Sequence, residues 1–256
     1  MIKMVVTDLD GTLLRTDKSV SKYTVDILSC VREQGVKVVF ATARGASAKA
    51  FVSYDLFDGY VLLNGAEAFV NNRLVYDKTI PADIFGPFLR ELSGRNFRVA
   101  AEIKGTHYAN FDVKGKWFFI ENYILTDFAD VAGSAGKLYI MIEDPGQIDF
   151  IAAILPRELY FYLNRDSLVM VMHKEATKSN GIYRIAEELN IEKSEIVAFG
   201  DDINDKEMLQ NVGLGVAMGN SIAEVKMIAD YVCDTNDNDG VAKWLEENIL
   251  RKRQMV

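Results

Sequence analysis

The chain has little of what secreted, zinc-binding or membrane proteins use. Its 256 residues include two cysteines, Cys30 and Cys233, so no disulfide framework is indicated and a reducing cytoplasm is the expected compartment. The two histidines, His107 and His173, lie far apart in the sequence, which argues against a zinc site. No apolar run approaches the roughly 18 residues of a membrane span, and the apolar start is too short for a signal peptide.

Positive charge is also in short supply. The net charge is −8, from 37 acidic and 29 basic residues, whereas proteins that bind a nucleic-acid backbone usually present a basic surface. We therefore expect neither nucleic acid nor membrane as a partner. An anionic substrate would have to be attracted by local charge or by a metal ion. Nothing in the sequence indicates the oligomeric state.

What the chain does have is an alternation of short apolar runs and amphipathic segments. The alternation predicts a doubly wound parallel sheet, because each strand is followed by a helix that returns the chain to the same edge. The predicted strands cover residues 2–6, 36–40, 60–63, 195–199, 214–217 and 231–233. The predicted helices cover residues 21–34, 47–54, 178–189, 203–210, 222–229 and 241–250.

The middle of the chain follows a different pattern. Residues 67–70 and 73–76 flank Asn71-Asn72, a hairpin signal, and a helix is predicted from Pro81 to about residue 92. Paired strands with a helix at 146–155 then predict an α+β unit with a mostly antiparallel sheet; those strands cover residues 97–103, 106–111, 137–143, 159–164 and 168–172. We expect an α/β protein whose Rossmann-like core, residues 1–81 and 174–256, is split by an inserted cap domain, residues 82–173.

The first chemical motif, Asp8-Leu9-Asp10-Gly11-Thr12, directly follows the first predicted strand. Ligands of doubly wound sheets bind beyond the carboxyl ends of the strands. One carboxylate there can attack phosphorus, and a second can donate a proton to the leaving oxygen. The alternative is an Asp-Gly turn whose acids are merely solvated.

A second acidic motif, Gly200-Asp201-Asp202-Ile203-Asn204-Asp205, follows another apolar strand. It offers hard oxygen ligands of the kind that suit Mg²⁺. The alternative is a helix N-terminus that favours acids through capping and the helix dipole. That alternative does not explain why two acidic clusters follow strands of one predicted sheet.

Two further residues are weaker candidates when taken alone. Thr42 ends the second predicted strand, where its hydroxyl and nearby amides could hold a phosphate oxygen. Lys178 lies in the first turn of a predicted helix, where a cation opposes the helix dipole; Lys174 is a rival for its role. The ordinary interpretation of each is a structural threonine and a solvated lysine.

Taken together, the motifs resemble the haloacid dehalogenase superfamily, in its Cof-type branch of phosphatases with a large α/β cap. The resemblance extends through Met208-Leu209, Gly213, the stretch 216–220 and Asp239-Gly240-Val241. It covers the whole core and is weaker over the cap. The chain departs from the branch at Ala43 and Ser179, where glycine is frequent; neither change removes a reactive group.

The resemblance implies a role for each motif residue. Asp8 would be the nucleophile and a Mg²⁺ ligand, and Asp10 the general acid and base whose backbone carbonyl also binds the metal. Asp201 would be the third metal ligand, with Asp205 orienting metal-bound water. The phosphate-binding residues implied are Leu9, Thr42, Ala43, Lys178 and Asn204. Arg44 and the Asn64-Gly65 pair are candidate substrate contacts, although Asn64-Gly65 is equally well explained as a turn.

The expected function is a Mg²⁺-dependent phosphatase that hydrolyses small phosphate monoesters, such as sugar phosphates or phosphorylated cofactors, through an aspartyl-phosphate on Asp8. Two alternatives remain: a phosphomutase of the same superfamily and a non-catalytic sensor of phosphorylated ligands. A sensor is expected to lose a reactive acid, and none is missing here. In the cap, the candidates for contact with the leaving group are His107, Tyr108, Lys114, Lys116, Trp117 and Arg165.

Overall fold

The computed structural model describes residues 1–115, 122–163 and 167–251. Its contacts divide the chain into two compact units. We call Met1–Asp77 together with Thr177–Val256 the core unit, and Lys78–Ala176 the inserted unit.

Within the described residues the chain forms the following elements. The strands are β1 (Met4–Thr7), β2 (Lys37–Ala41), β3 (Gly59–Leu62), β4 (Glu67–Val70), β5 (Arg73–Asp77), β6 (Ile80–Pro81), β7 (Val99–Ile103), β8 (Thr106–Ala109), β9 (Tyr123–Leu125), β10 (Ser134–Ala135), β11 (Lys137–Met141), β12 (Leu159–Leu163), β13 (Leu168–His173), β14 (Ile196–Gly200), β15 (Leu214–Ala217) and β16 (Tyr231–Val232). The α-helices are α1 (Lys22–Glu33), α2 (Ala82–Gly94), α3 (Gly146–Ile154), α4 (Lys178–Glu188), α5 (Lys206–Gln210), α6 (Ala223–Ile228) and α7 (Gly240–Leu245).

The core unit is built on one sheet with strand order β16-β15-β14-β1-β2-β3-β4-β5. The strands from β16 to β3 pair in parallel, and the hairpin β4–β5 adds an antiparallel edge. Strands β1, β3 and β14 are buried along their whole length, as expected when helices cover both faces. One face packs on α4, α5 and α6. On the other face, Phe199 of β14 packs against Trp244 of α7.

Local sequence signals account for most of these boundaries. Ser21 caps α1 by accepting a hydrogen bond from the amide of Thr24, and Gly35 follows the helix with φ +79°. Asn71 and Asn72 both adopt positive φ in the β4–β5 turn, which is the backbone conformation of a tight hairpin. The predicted α/β core with a parallel, doubly wound sheet is confirmed.

The predicted helix at residues 47–54 is wrong. That segment holds two short 3₁₀ turns, Ala46–Ala50 and Tyr54–Leu56, and neither has a side-chain cap. Aromatic packing fixes its path instead: the Phe51 ring lies under the Arg44 guanidinium, and the Tyr54 ring packs on Phe40 and Tyr60. Tertiary contacts here outweigh a weak helix propensity.

The inserted unit has a six-stranded sheet in the order β12-β13-β11-β7-β8-β9, in which every pair except β8–β9 is antiparallel. Apolar side chains on one face, such as Val99, Leu138 and Val171, form a core with residues of α2 and α3. The mostly antiparallel α+β pattern predicted for this part of the chain is confirmed. Among the helices described, none is long and apolar enough to cross a membrane.

Candidate active site

Three parallel strands in the middle of the core sheet deliver the predicted site residues to one edge. Strand β1 lies between β2 and β14, and the residues after these strands are Asp8, Thr42 and Asp201. Because the carboxyl ends of parallel strands share an edge, separate parts of the sequence meet there. Leu9 and Ala43, predicted to offer backbone amides, directly follow Asp8 and Thr42.

The first residue of α4 reaches the same edge. The Lys178 ammonium is 2.6 Å from Asp8 Oδ1 and 2.7 Å from Asp205 Oδ1, and its side chain is 1% exposed. Burial lowers the pKa of Lys178, but the carboxylates of Asp205 and Asp8 outweigh this and raise it above the ordinary value. Lys178 is therefore held as a buried cation between two acids. The rival Lys174 is exposed.

Asp8, Asp201 and Asp205 offer carboxylate oxygens that all lie within 4.8 Å of one another. Burial, the largest cause, raises the pKa of Asp8 to about 8 and that of Asp201 to about 6. Burial and mutual repulsion disfavour the ionised form of these crowded acids, and a bound cation lowers their pKa values again. Three carboxylates are a donor set that fits a hard divalent cation.

The three acids are not equivalent as ligands. Both oxygens of Asp205 are already engaged, one by Lys178 and the other by the amides of Asp201 and Asp202. Asp8 and Asp201 each have one oxygen, Oδ2, that accepts no hydrogen bond from the described part of the chain. The geometry thus favours Asp8 and Asp201 as direct ligands and Asp205 as their support.

Asp201 is positioned by the loop that carries Asp8. Thr12 Oγ1 donates a 2.7 Å hydrogen bond to Asp201 Oδ1. Gly11 adopts φ +78°, and a Cβ atom there would lie 2.4 Å from Asp201 Oδ2. Only glycine tolerates both that conformation and that approach. The sequence motif therefore encodes the packing of the two acidic loops as well as their chemistry.

The carboxylate of Asp10 lies apart from this cluster. Arg44 binds it with two hydrogen bonds, Nε to Oδ2 at 2.5 Å and Nη2 to Oδ1 at 2.7 Å, and Lys18 Nζ is 2.8 Å from Oδ1. Burial raises the pKa of Asp10, but these bonds outweigh it and leave the pKa below its ordinary value. Arg44, predicted as a candidate substrate contact, donates both of these hydrogen bonds to Asp10.

The remaining predicted residues lie in the loops after β3 and β14. Asn64, with φ +55°, donates its amide hydrogen to the Thr42 carbonyl, and its side-chain oxygen accepts a 3.2 Å bond from Asn204 Nδ2. Gly65 has φ +109°, and a Cβ atom there would lie 2.0 Å from the carbonyl oxygen of Thr177, the residue that caps α4. This close approach fixes the start of the helix that carries Lys178.

Some site residues had no assigned role in the sequence analysis. Thr12 and Gly11 belong to a motif that was recognised, but their contacts with Asp201 could not be read from spacing. Lys18 gave no signal at all. Asn220 Nδ2 donates to the Gly11 carbonyl and its Oδ1 accepts from the Asn236 amide; its only signal was its place in the stretch 216–220.

The residues predicted to contact the leaving group lie in different environments. Tyr108 packs against the apolar core of the inserted unit. Lys114 is exposed, with its ammonium 5.8 Å from the centroid of the Tyr123 ring. His107 is largely buried beside Glu102. Lys116, Trp117 and Arg165 lie outside the described residues.

Comparison with known proteins gives a consistent family. The family model for haloacid dehalogenase-like hydrolases matches residues 5–245. A putative phosphatase of Haemophilus influenzae is 30% identical, over 96% of this chain and 98% of its own length. The 5-amino-6-(5-phospho-D-ribitylamino)uracil phosphatase YitU of Bacillus subtilis is 28% identical, over 95% of this chain and 96% of its own length.

A solved structure of BT1666 from Bacteroides thetaiotaomicron, a phosphatase of the haloalkanoate (HAD) enzyme superfamily, superposes with a TM-score of 0.84. It is 29% identical, and the match covers 96% of this chain and 95% of that one. The family model, the two relatives and this structure each match nearly the whole length of the chain. The chain therefore belongs to the haloacid dehalogenase-like hydrolases, in the Cof-type branch, and is a phosphoric monoester hydrolase.

Proposed function

We propose that this phosphatase is Mg²⁺-dependent and hydrolyses small phosphate monoesters, of sugars or of phosphorylated cofactors, through an aspartyl-phosphate on Asp8. The observation that carries the proposal is the buried Lys178 between Asp8 and Asp205, beside an Asp8 oxygen that accepts no hydrogen bond from the described residues. A carboxylate held by one oxygen can attack with the other. The relatives named for a ribitylamino-uracil phosphate support a small phosphorylated metabolite as substrate.

In this proposal the reaction is two displacements at phosphorus. Asp8 attacks the phosphoryl group with one carboxylate oxygen and the ester oxygen leaves; water then attacks the same phosphorus and releases Asp8. Lys178 offsets charge on the transferred oxygens. The Thr42 hydroxyl, Asn204 and the amides of Leu9 and Ala43 bind those oxygens. Mg²⁺, held by Asp8, Asp201 and the Asp10 carbonyl, would supply positive charge that lowers the pKa values of the crowded acids.

Asp10 is the proposed proton-transfer group, first as acid toward the leaving oxygen and then as base toward water. In the resting arrangement it is an anion bound by Arg44 and Lys18, which suits the base role. To act as the acid it must take up a proton, and the pull of Arg44 opposes that step. The inserted unit would select the substrate by contacts with its alcohol part, which is the leaving group.

A panel of phosphate esters, with released inorganic phosphate as the readout, tests this function. Phosphate release from at least one sugar or cofactor phosphate is expected. Recovery of the phosphoryl group on another hydroxyl of the sugar, without free phosphate, would instead identify a phosphomutase. Binding without either product would identify a sensor.

Magnesium should stabilise the fold as well as support turnover. At a free Mg²⁺ concentration of 100 times its Kd, the free energy of unfolding should rise by about 2.7 kcal/mol, because the ion binds acids brought together only in the folded state. The measurement is thermal or urea unfolding with Mg²⁺ and with a chelator. Asp201→Asn should lose the increase, whereas Asp202→Asn, at an exposed neighbour, should keep it. Identical unfolding with and without the ion in the parent protein would remove the metal assignment.

Arg44 should matter through Asp10. We expect Arg44→Met to lower kcat on p-nitrophenyl phosphate by about 10- to 100-fold, because a misplaced proton-transfer group loses much of its effect. Lys18→Met should cost only about two- to threefold, since Lys18 is a half-exposed point charge with a single bond to Asp10. Steady-state kinetics on both variants measure this. If the Arg44 variant changed KM alone, the guanidinium would instead act on the substrate.

A further inference from the structure

Two loops beyond the carboxyl ends of β15 and β16 contact the loop that carries Asp10, residues 8–19, which we call the Asp10 loop. The first contains Asn220, which follows β15, and the second contains residues 235–239, which follow β16. Each overlaps a sequence motif for which the proposed reaction has no role. All three loops belong to the core unit, so their contacts can be described together.

Two asparagines hold carbonyl groups of the Asp10 loop. Asn220 Nδ2 donates a 2.8 Å hydrogen bond to the Gly11 carbonyl, and Asn236 Nδ2 donates a 2.9 Å bond to the Leu14 carbonyl. The asparagines are also joined to each other, because the Asn236 amide donates to Asn220 Oδ1 at 2.9 Å. Leu14 in turn forms a β-bridge with Asp10. The backbone around Asp10 is thus fixed from outside its own loop.

The exposed end of the Asp10 loop is held by carboxylates. Thr16 and the three residues after it are exposed, so apolar packing contributes little to their position. Asp237 accepts hydrogen bonds from both the amide and the hydroxyl of Thr16, each at 2.8 Å. Asp239 accepts two bonds from the Arg15 guanidinium, at 3.3 and 2.6 Å. We call the four residues that hold the Asp10 loop the loop bracket: Asn220, Asn236, Asp237 and Asp239.

The sequence of the Asp10 loop explains why it needs this support. Gly11 directly follows Asp10 and adopts φ +78°, and a glycine restricts its own backbone less than any other residue does. The bond from Asn220 fixes the Gly11 carbonyl instead. A general acid must reach the leaving oxygen, and a misplacement of about 1 Å can cost a factor of about 10² in rate.

We propose that the loop bracket positions Asp10 for proton transfer, so that its four members are positioning residues for the step in which the alcohol leaves. In that step the bond between Asp8 and phosphorus forms, the bond between phosphorus and the ester oxygen breaks, and the Asp10 proton goes to that oxygen. The proposal rests on the proposed function for the role of Asp10. It goes beyond that function by assigning residues that act through the Asp10 loop.

Two aryl esters separate this effect from a general loss of activity. p-Nitrophenolate is a stable anion that can leave without a proton, whereas the more basic phenolate of phenyl phosphate gains more from a general acid. With no phenol product present, kcat/KM reports the steps up to departure of the leaving group. Asn220→Ala should lower kcat/KM by about 10-fold for phenyl phosphate and by less than about twofold for p-nitrophenyl phosphate.

Asp230→Ala is the matched control. Asp230 is exposed, as Asn220 is, and its side chain accepts a 2.8 Å bond from the Gly215 amide. Gly215 lies in β15 and not in the Asp10 loop, so this variant should change kcat/KM for neither ester. Thermal unfolding compares the stability of the two variants. Equal losses on both esters in Asn220→Ala, or no loss on phenyl phosphate, would overturn the proposal.

A double variant shows whether the loop bracket acts through Asp10. Asp10→Asn should raise the preference for p-nitrophenyl phosphate over phenyl phosphate further than Asn220→Ala does, because the acid itself is gone. Asp10→Asn combined with Asn220→Ala should show the preference of Asp10→Asn alone, since effects that act through one group do not add. A further rise in the double variant would mean that Asn220 acts elsewhere, and would contradict the proposal.

A failed acid role for Asp10 would look different from a failed loop bracket. In that case Asp10→Asn itself would leave the preference between the two esters unchanged. A raised preference in Asp10→Asn with none in Asn220→Ala would remove the loop bracket alone. Should Asn220→Ala fail to fold, Asp237→Ala, at an exposed position, takes its place. It should raise the preference by about threefold, and an unchanged preference would count equally against the proposal.

Discussion

Asp8→Asn should abolish turnover, with a loss of about 10⁴-fold or more on p-nitrophenyl phosphate. An amide has nearly the shape of the carboxylate but is a very poor nucleophile, so the covalent step has no substitute. The fold should survive, because the oxygen of the new amide can still accept a hydrogen bond from Lys178. The amide is also neutral, so the variant does not bury a negative charge at this position, where burial raises the pKa of Asp8 to about 8.

The measurement is phosphate release together with a thermal unfolding curve. Asp202→Asn is the matched control: it makes the same chemical change in the neighbouring acidic motif, at an exposed position that caps a 3₁₀ turn, and asparagine caps as well as aspartate does. It should retain activity. Near-parental activity of Asp8→Asn in an intact fold would rule out an aspartyl-phosphate on this residue.

Lys178→Met should damage both activity and stability. Removing the ammonium leaves Asp8 and Asp205 buried with no cation between them, and breaking a buried ion pair from one side typically costs about 3–5 kcal/mol. Turnover should fall by about 10²- to 10³-fold, since the transferred oxygens lose a fixed positive charge. Urea unfolding and p-nitrophenyl phosphate kinetics measure the two effects.

Two companion variants separate these effects. Lys174→Met alters an exposed lysine four residues earlier in the chain and should change neither quantity. The double variant Lys178→Met with Asp205→Asn should recover part of the lost stability, because one buried anion is gone, but it should not recover the lost turnover. If Lys178→Met proved as stable as the parent, the buried pairing described for Lys178 would not exist in solution.

Much of the fold could be predicted because its signals are local. Apolar runs without a period marked strands buried on both faces, and residues such as Ser21 and Gly35 marked where a helix begins and ends. The segment 47–54 failed for the opposite reason. Its path is set by the contact of Phe51 with Arg44 and by the packing of Tyr54 on distant rings, and no pattern within the segment reports those partners.

The site divides in the same way. The position of Asp8, Thr42 and Asp201 at strand ends follows from a parallel sheet, so their meeting could be predicted. The side-chain partners could not: spacing does not reveal that Arg44 and Lys18 bind Asp10, or that Thr12 reaches Asp201. Those contacts depend on the paths of loops, which are set by packing across the whole core unit.

The strand order of the core also constrains how the chain is made. Strand β1 pairs with β14, so Met4 lies beside Ile196, and the two form neighbouring strands only after nearly two hundred residues have been synthesised. Contacts between such distant parts of a chain form slowly, because a long loop must close before they contribute any stability. Until then the apolar edge of β1 is open to unwanted pairing. The edge of β1 that pairs with β14 therefore stays without its partner strand for most of the synthesis of the chain.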